Sequence, residues 1–177
     1  MIALARHGET PYNAERRFQG RLPVPLTQRG REQAHELAAV AARRDWAALW
    51  CSPLARARET AAIVGAAIGL EPREDARFAE TDCGDWTDRF FDDVQAAEPE
   101  AFAAYQRADP GFAFPGGESF AQQQARVLDG LDDVRRGDVP ALVVCHRGSI
   151  RLALAALNGD DGLRAAEVPN GTLIELP

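Results

Sequence analysis

The sequence predicts an α/β fold: a single-domain, three-layer α/β/α sandwich with a mostly parallel central sheet. Short apolar runs alternate with helical patterns along the chain, as in proteins whose strands are joined by helical crossovers. The 177 residues are enough to build one hydrophobic core but few for two. Because no repeat, low-complexity tract or linker interrupts the sequence, we expect residues 1–177 to form one domain.

The first half of the chain predicts two strands and two helices. Residues 2–5 and 49–51 are apolar runs with the length of short buried strands. Thr27 is a suitable N-cap for a helix whose apolar residues recur at spacings of three and four. After the second strand, Ser52-Pro53 predicts an N-cap followed by a proline at the first helical position, and Gly69 is expected to end that helix.

The second half predicts two further helices and two further strands. Ser119 and Gln122 have the spacing of a capping box at the start of a long amphipathic helix. Ala141–Cys145 is the most apolar strand candidate of the chain. A short helix is expected over residues 149–157, and a last strand over residues 172–176.

Composition and charge exclude several classes of function. The net charge of −7 argues against nucleic acid as the main partner, so a phosphate site would have to be a local cluster of positive charge. No apolar run reaches the length of a membrane span, and the few apolar residues before Arg6 are too short for a signal-peptide core, so we expect a cytoplasmic protein without a membrane partner. Lysine is absent, which removes Schiff-base and Walker-type chemistry.

The cysteines and the metal-ligand patterns are uninformative about catalysis. The three cysteines are an odd number and include no CxxC pair, so we expect free thiols rather than a disulfide or a zinc site. No cluster of His, Cys, Asp or Glu has the spacing of a metal site. We therefore expect no metal and no cofactor.

Three junctions between a predicted strand and the helix that follows it carry unusual polar residues. They are residues 6–10, 52–56 and 146–149, which contain two histidines and at least two arginines. In an open parallel sheet, ligands bind outside the carboxyl ends of the strands, so these side chains should gather at one edge. Helix N-termini at that edge add backbone N–H donors. Such a place suits a phosphate dianion.

Six motifs stand out along the chain. They are Arg6-His7-Gly8-Glu9-Thr10 with Asn13, Phe18-Gln19-Gly20 with Pro25-Leu26-Thr27, Ser52-Pro53-Leu54 with Arg56-Ala57 and Glu59-Thr60, Phe78-Ala79-Glu80 with Gly84-Asp85-Trp86, Pro115-Gly116-Gly117-Glu118-Ser119, and Cys145-His146 with Gly148 and Ile150-Arg151. These motifs resemble those of the histidine phosphatase superfamily, which includes the cofactor-dependent phosphoglycerate mutases. The resemblance covers essentially the whole chain.

The resemblance implies a role for each motif residue. His7 would be the nucleophile, and Glu80 would protonate the leaving oxygen and later activate water. The residues expected to bind the phosphate are Arg6, Asn13, Arg56 and His146. The candidate substrate contacts are Gln19, Gly20 and Arg147; many relatives have glycine where Arg147 stands, so its side chain is expected either to bind an anionic group of the substrate or to point to solvent.

The two histidines are expected to differ in protonation. A nucleophile needs a free lone pair, so His7 must be neutral, and the neighbouring arginines should lower its pKa from about 6.5. His146 should face the bound dianion, which favours its charged form. Such a separation of two similar groups is typical of an active site.

The sequence therefore predicts a metal-independent phosphomonoester hydrolase that acts on a small phosphorylated metabolite through a phosphohistidine. A helical excursion is expected at about residues 86–114, over the active site. Only 34 residues separate Glu80 from Pro115, which favours hydrolysis over a phosphoglycerate mutase. A mutase, a ribazole-phosphate phosphatase, a protein phosphohistidine phosphatase and a non-catalytic binding module remain alternatives, and the natural substrate and oligomeric state stay open.

Overall fold

A computed structural model describes residues 1–159 and 168–177. Five strands form one sheet in the order β3-β2-β4-β1-β5. Their bounds are Ile2–Arg6 for β1, Ala48–Cys51 for β2, Arg73–Glu74 for β3, Ala141–Cys145 for β4 and Leu173–Glu175 for β5. Neighbouring strands are parallel except at the edge, where β5 runs antiparallel to β1. The predicted mostly parallel sheet is thus confirmed.

Helices cover both faces of the sheet. One core cluster joins residues of α2 and α3 to the sheet, and a second joins residues of α6 and α7 to its opposite face. The three-layer α/β/α arrangement is therefore confirmed. The α-helices of the described residues are α1 Pro11–Ala14, α2 Gln28–Ala41, α3 Ala55–Ile68, α4 Phe91–Ala97, α5 Pro99–Gln106, α6 Phe120–Arg136 and α7 Arg147–Asn158.

Strand β1 shows how the two clusters share the sheet. Ile2 and Leu4 belong to the cluster with α6 and α7, whereas Ala3 and Ala5 belong to the cluster with α2 and α3. Successive side chains of a strand point to opposite faces, so a strand buried on both sides must be apolar at every position. This explains the continuous apolar runs of β1 and β4, and it places their C-terminal ends at a defined edge.

Several helix ends agree with the sequence, but α3 starts later than predicted and α7 starts at Arg147, two residues earlier than predicted. Thr27 and Ser119 cap α2 and α6 through their side chains, and Gly69 ends α3 in the left-handed conformation, at φ 72°. The prediction that Ser52 caps α3 is wrong: the helix starts at Ala55 and its N-cap is Leu54, which makes no side-chain cap. The two-residue strand β3, which the sequence did not reveal, extends the sheet beyond β2.

The segment between Glu80 and Pro115 contains two short helices, α4 and α5, and an aromatic cluster. Trp86 and Phe102 are fully buried, and Phe18 from the first loop packs against Trp86 with ring centroids 5.2 Å apart. The indole N–H of Trp86 donates to a carboxylate oxygen of Glu98 at 3.1 Å. The contact between Phe18 and Trp86 joins this segment to the loop that follows β1. Among the described residues, no helix has the length and apolar character needed to cross a membrane.

Candidate active site

The three strand-to-helix junctions meet at one edge of the sheet. Strand β4 lies between β1 and β2, with Arg6 opposite Cys145 and Cys51 opposite Val144. His7, Ser52 and His146 directly follow these strands, so they emerge side by side. The rings of His7 and His146 have centroids 5.1 Å apart. The convergence expected from the sequence is therefore present in the fold.

His7 is buried and held in one orientation. Its Nδ1 lies 2.7 Å from the carbonyl oxygen of Gly8, which can only accept, so Nδ1 carries the proton and Nε2 keeps the lone pair. The Nε–H of Arg56 donates to that Nε2 at 3.3 Å. Burial, and then the positive charges of Arg56 and Arg6, lower the pKa of His7 well below 6.5. His7 is thus neutral near pH 7 and has a lone pair on the atom that faces Arg56.

The loop that carries His7 is fixed by Gly8 and Thr60. The N–H of Gly8 donates to the hydroxyl of Thr60 at 3.1 Å, and this hydroxyl donates to the carbonyl of Arg56 at 2.8 Å. A Cβ on Gly8 would clash with the carbonyl group of Gly30. Glycine is therefore required where the loop crosses the start of α2. Thr60 belongs to the second motif of the family resemblance, but its link to Gly8 spans 52 residues, and the sequence gives no sign of that link.

Arg56 is a fully buried cation. Its terminal nitrogens donate to the carbonyls of Gly20 at 2.8 Å and Leu22 at 3.2 Å. Burial lowers the pKa of Arg56 to about 10, so the side chain stays charged at neutral pH. Within the described residues it forms no ion pair with a carboxylate. Its positive charge is left for a ligand.

His146 is oriented by Ser52. Its Nε2 lies 2.7 Å from the Ser52 hydroxyl, which also accepts from the N–H of Leu54 at 3.2 Å. The Ser52 hydroxyl has one proton and a second lone pair, so it can donate to Nε2 or accept from it; the contact fixes the orientation of the ring. The Nδ1 of His146 is buried and has no hydrogen-bond partner among the described residues. The polar role of Ser52 replaces the helix cap that the sequence predicted.

The expected contrast between the histidines does not arise from the protein's own charges. Burial, followed by the charge of Arg56, also lowers the pKa of His146 well below 6.5. Both imidazoles are therefore neutral at pH 7 in the surroundings that the chain provides. A phosphate dianion beside His146 would oppose this effect, because an opposite charge raises the pKa of an imidazole.

The Glu80 carboxylate is held by three N–H donors. Its Oε1 accepts from the Gln123 amide at 3.0 Å and from the backbone N–H of Thr81 at 3.0 Å, and its Oε2 accepts from the N–H of Gly148 at 3.3 Å. The Thr81 hydroxyl oxygen also lies 3.3 Å from Oε1, but its single proton is donated to Gln123. A Cβ on Gly148 would clash with Oε1. Glycine at 148 thus lets the carboxylate approach the start of α7.

Gln123 is a functional residue that sequence reasoning missed. It is completely buried in α6, donates to Glu80 and to the Ser149 hydroxyl, and accepts from the Thr81 hydroxyl. A signal existed, because Gln123 lies three residues after Phe120 and four before Val127, on the apolar face of the helix. A polar residue at such a position must find buried partners.

The remaining predicted residues lie around this centre. The side-chain oxygen of Asn13 accepts from the Thr10 N–H at 3.1 Å and from the Asn170 amide at 3.2 Å, which leaves the Asn13 amino group to donate. Gln19 accepts from the Thr10 hydroxyl at 3.0 Å, and Gly20 contributes the carbonyl that holds Arg56. Arg6 donates to the carbonyl of Val168 at 2.6 Å, while its Nε is buried without a partner in the described residues.

A cavity of about 300 Å³ opens at this edge. Its wall includes the polar residues Arg6, His7, Asn13, Gln19, Gly20, Glu80 and Arg147, and an aromatic side formed by Phe18, Phe91, Tyr105, Phe114 and Phe120. Arg56 and His146 are fully buried and do not line the cavity. No group of three or more His, Cys, Asp or Glu side chains suited to a metal ion occurs in the described part of the chain.

Known proteins resemble the whole chain. The family model of the histidine phosphatase superfamily (branch 1) matches residues 2–176. The glucosyl-3-phosphoglycerate phosphatase of Mycolicibacterium vanbaalenii is 36% identical over 167 residues, which cover 89% of this chain and 74% of that protein. Phosphoserine phosphatase 1 of Hydrogenobacter thermophilus is 33% identical over 162 residues, which cover 90% of this chain and 77% of its own.

A solved structure agrees with these relatives. The structure of a mycobacterial glucosyl-3-phosphoglycerate phosphatase complexed with VO3 superimposes with a TM-score of 0.88 at 31% identity, covering 97% of this chain and 88% of that one. A family match over nearly every residue, phosphatase relatives above 30% identity and a shared fold all agree with the paired histidines and arginines at the sheet edge. The chain belongs to the histidine phosphatase superfamily (branch 1) and is a phosphoric monoester hydrolase.

Proposed function

We propose that this protein hydrolyses phosphate monoesters of small metabolites through a phosphohistidine formed on Nε2 of His7. One observation carries the proposal. The Nδ1 proton of His7 is bound to the Gly8 carbonyl, so the lone pair is fixed on Nε2, 3.3 Å from the buried cation of Arg56. A neutral nucleophile beside a buried positive charge is what attack on a phosphate requires.

Phosphate binding rearranges the hydrogen bonds of the site. The Nε–H of Arg56 then donates to a phosphate oxygen instead of to His7. The proton stays on Arg56, and the Nε2 lone pair of His7 becomes free for attack. Arg6 Nε and His146 Nδ1 are buried polar atoms without partners in the described residues, and phosphate oxygens would supply the acceptors they lack. The amino group of Asn13 completes the set of donors. Phosphoryl transfer depends mainly on such positioning and charge neutralisation.

The first chemical step forms the phosphoenzyme. The Nε2 lone pair attacks phosphorus in line with the ester oxygen, the ester P–O bond breaks, and protonated Glu80 transfers its proton to the leaving oxygen. The alcohol then departs. Gln123 and the Gly148 N–H keep the carboxyl group at the entrance of the cavity, where the leaving oxygen would be.

The second step restores the enzyme. Ionised Glu80 takes a proton from water, the water oxygen attacks phosphorus, and the P–N bond to His7 breaks to release inorganic phosphate. Glu80 ends the cycle protonated, ready for the next ester. No metal takes part in either step.

The relatives and the cavity favour a small substrate. The named relatives act on glucosyl-3-phosphoglycerate and on phosphoserine, and a cavity of about 300 Å³ fits a metabolite of this size. We assign Gln19, Gly20 and Arg147 to substrate contacts because each lies on the cavity wall. We disfavour the phosphoglycerate mutase alternative because only 34 residues separate Glu80 from Pro115.

Trapping the phosphoenzyme tests the nucleophile. Acid-labile phosphate on His7 should be detected by intact mass after rapid quenching with p-nitrophenyl phosphate, with EDTA present throughout. His7→Ala should remove the label and lower kcat by about 10⁴-fold or more, as expected when a nucleophile is deleted. His35→Ala, at an exposed position in α2, is the matched control. If His7→Ala keeps a tenth of the activity, His7 is not the nucleophile.

A product assay tests hydrolysis against mutase activity. With 3-phosphoglycerate as substrate and 2,3-bisphosphoglycerate as primer, the wild type should release inorganic phosphate. Rapid conversion to 2-phosphoglycerate with little free phosphate would overturn the hydrolase proposal in favour of the mutase.

A further inference from the structure

Two arginines of α7 line the cavity and differ from the buried histidines because one is exposed and the other is half-buried. Arg147 and Arg151 are four residues apart in α7, so their side chains leave the same face of the helix about one turn apart. We call them the outer arginine pair. The phosphate chemistry described above uses neither of them.

The outer arginine pair lies on the side through which the leaving group departs. Glu80 must reach the ester oxygen, and its Oε2 accepts from the N–H of Gly148, the residue after Arg147. The organic part of the substrate is joined to that same oxygen. A leaving group that extends from Glu80 along the first turn of α7 would pass the outer arginine pair.

The positive charge of this region exceeds what the phosphate needs. In the described part of the chain, neither member of the outer arginine pair forms an ion pair with a carboxylate. Arg151 donates to the carbonyl of Gln106 at 3.2 Å, and its Nε is buried without a partner in the same residues. Burial, and then the charge of Arg147, lower the pKa of Arg151, and the same two causes lower the pKa of Arg6 to about 10.

Tyr105 adds a neutral donor to the same wall. Burial raises the pKa of its hydroxyl to about 12, so it remains protonated at neutral pH. A phosphate dianion engages Arg6 and Arg56 on the inner side. Arg16 and Arg17 also line the cavity, but both are paired with carboxylates. The outer arginine pair and the phenol therefore remain for a further anion, in a cavity with one acidic side chain, Glu80, on its wall among the described residues. Guanidinium groups of this kind bind carboxylate or phosphate with two hydrogen bonds.

We propose that the outer arginine pair binds a second anionic group of the substrate, so that preferred substrates are phosphate monoesters with a carboxylate or another phosphate close to the ester oxygen. This inference rests on the proposed function. It narrows the substrate from any small phosphate ester to one with two anionic ends, and it assigns Arg147 and Arg151 to specificity rather than to chemistry.

Three two-carbon esters separate the sources of the second charge. Ethylene glycol monophosphate ends in a hydroxyl, phosphoglycolate in a carboxylate and ethylene glycol bisphosphate in a phosphate. The wild type should have a kcat/KM at least about tenfold higher for one or both anionic esters than for the neutral one, equivalent to one charged hydrogen-bonded contact. Preference for phosphoglycolate alone identifies a carboxylate, and preference for the bisphosphate alone identifies a phosphate.

Arg147→Gln and Arg151→Gln should each reduce this preference about tenfold, mainly through KM. Each loss should be larger for the anionic ester than for ethylene glycol monophosphate. Arg43→Gln makes the same change of charge at an exposed position outside the cavity and should keep the wild-type preference. Higher salt should weaken the preference of the wild type, because the contact lies partly in solvent.

The two proposals fail in different ways. If the wild type treats the three esters alike, or if Arg147→Gln and Arg151→Gln keep its preference as Arg43→Gln does, the outer arginine pair does not bind a second anion. Turnover of p-nitrophenyl phosphate with a trapped phosphohistidine would still support the proposed function in that case. Absence of the phosphohistidine would overturn the proposed function itself.

Discussion

The inner and outer parts of the cavity are built in different ways. On the inner side, His7, Arg56 and His146 are buried, and each is held by a backbone group or a buried hydroxyl. On the outer side, Arg147 is exposed, and the aromatic wall comes largely from the segment after Glu80. Under the proposed function, the sheet thus fixes the reacting groups, while substrate selection falls to α7 and to the segment after Glu80.

The same difference decides what the sequence could predict. His7 and His146 follow runs that are apolar at every position, and only a strand buried on both faces needs such a run. Their strands are parallel neighbours, so the strand ends, and the histidines with them, had to meet. The inner part was therefore predictable from local patterns and one rule of topology, and the family resemblance added the residue roles.

What the sequence did not reveal depends on contacts between distant segments. Ser52 precedes a proline and looks like a helix cap, but its partner His146 is 94 residues away. Thr60 and Gln123 act through partners 52 and 43 residues away. The strand β3 has two residues and owes its existence to pairing with β2. None of these partners is encoded by local propensity.

If the inner part works as one rigid unit, removing its buried cation should have the largest effect. Arg56→Ala should lower kcat/KM by about 10²–10³-fold, as expected for the loss of one preorganised donor to the transition state. It should also reduce stability, because the carbonyls of Gly20 and Leu22 lose a buried donor, at about 1–3 kcal/mol per unsatisfied group. Steady-state kinetics and urea unfolding measure the two effects.

Arg58→Ala is the matched control for Arg56→Ala. Arg58 lies in the same helix but is exposed and paired with Glu74 at 3.1 Å, so its removal should leave both quantities near the wild type. Near wild-type kinetics in Arg56→Ala would contradict a phosphate role for this residue. A loss of activity fully explained by unfolding would reduce Arg56 to a structural role.

A smaller effect is expected where the inner and outer parts meet. Gly148→Ala places a methyl group against Oε1 of Glu80 and should push the carboxyl group away from the leaving oxygen. Loss of general acid catalysis lowers the rate by about 10²–10⁴-fold. A displaced acid should lower kcat/KM by the lower part of that range. The loss should be much smaller for p-nitrophenyl phosphate, because its leaving group needs little protonation.

Gly137→Ala controls for the substitution itself. Its nearest atoms would be 3.6 Å from the added Cβ, so it should behave as the wild type. The informative quantity is the ratio of the losses measured with an alkyl phosphate and with p-nitrophenyl phosphate. An equal loss for both substrates would show that Gly148→Ala damages the phosphate site rather than the acid.

The smallest effect is on the free energy of unfolding, which should depend on pH through the two buried histidines of the inner part. Burial lowers the pKa of His7 and of His146 below 6.5 in the folded protein. Below about pH 6.5 the unfolded chain therefore binds two protons that the folded chain does not, and the free energy of unfolding falls as pH decreases. From pH 6.5 to 5.5 this loss should be about 1 kcal/mol per histidine, or about 2 kcal/mol in total.

Urea unfolding at the two pH values measures this loss. Arg147→Gln leaves both buried histidines in place and should show the wild-type pH dependence. His35→Gln, at an exposed position, should also keep it. His7→Gln and His146→Gln should each remove about half of the loss, since each deletes one proton-binding site of the unfolded chain. The same unfolding free energy at both pH values in the wild type would show that burial does not keep the inner histidines neutral. The contrast between the inner and outer parts of the cavity would then lose its electrostatic basis.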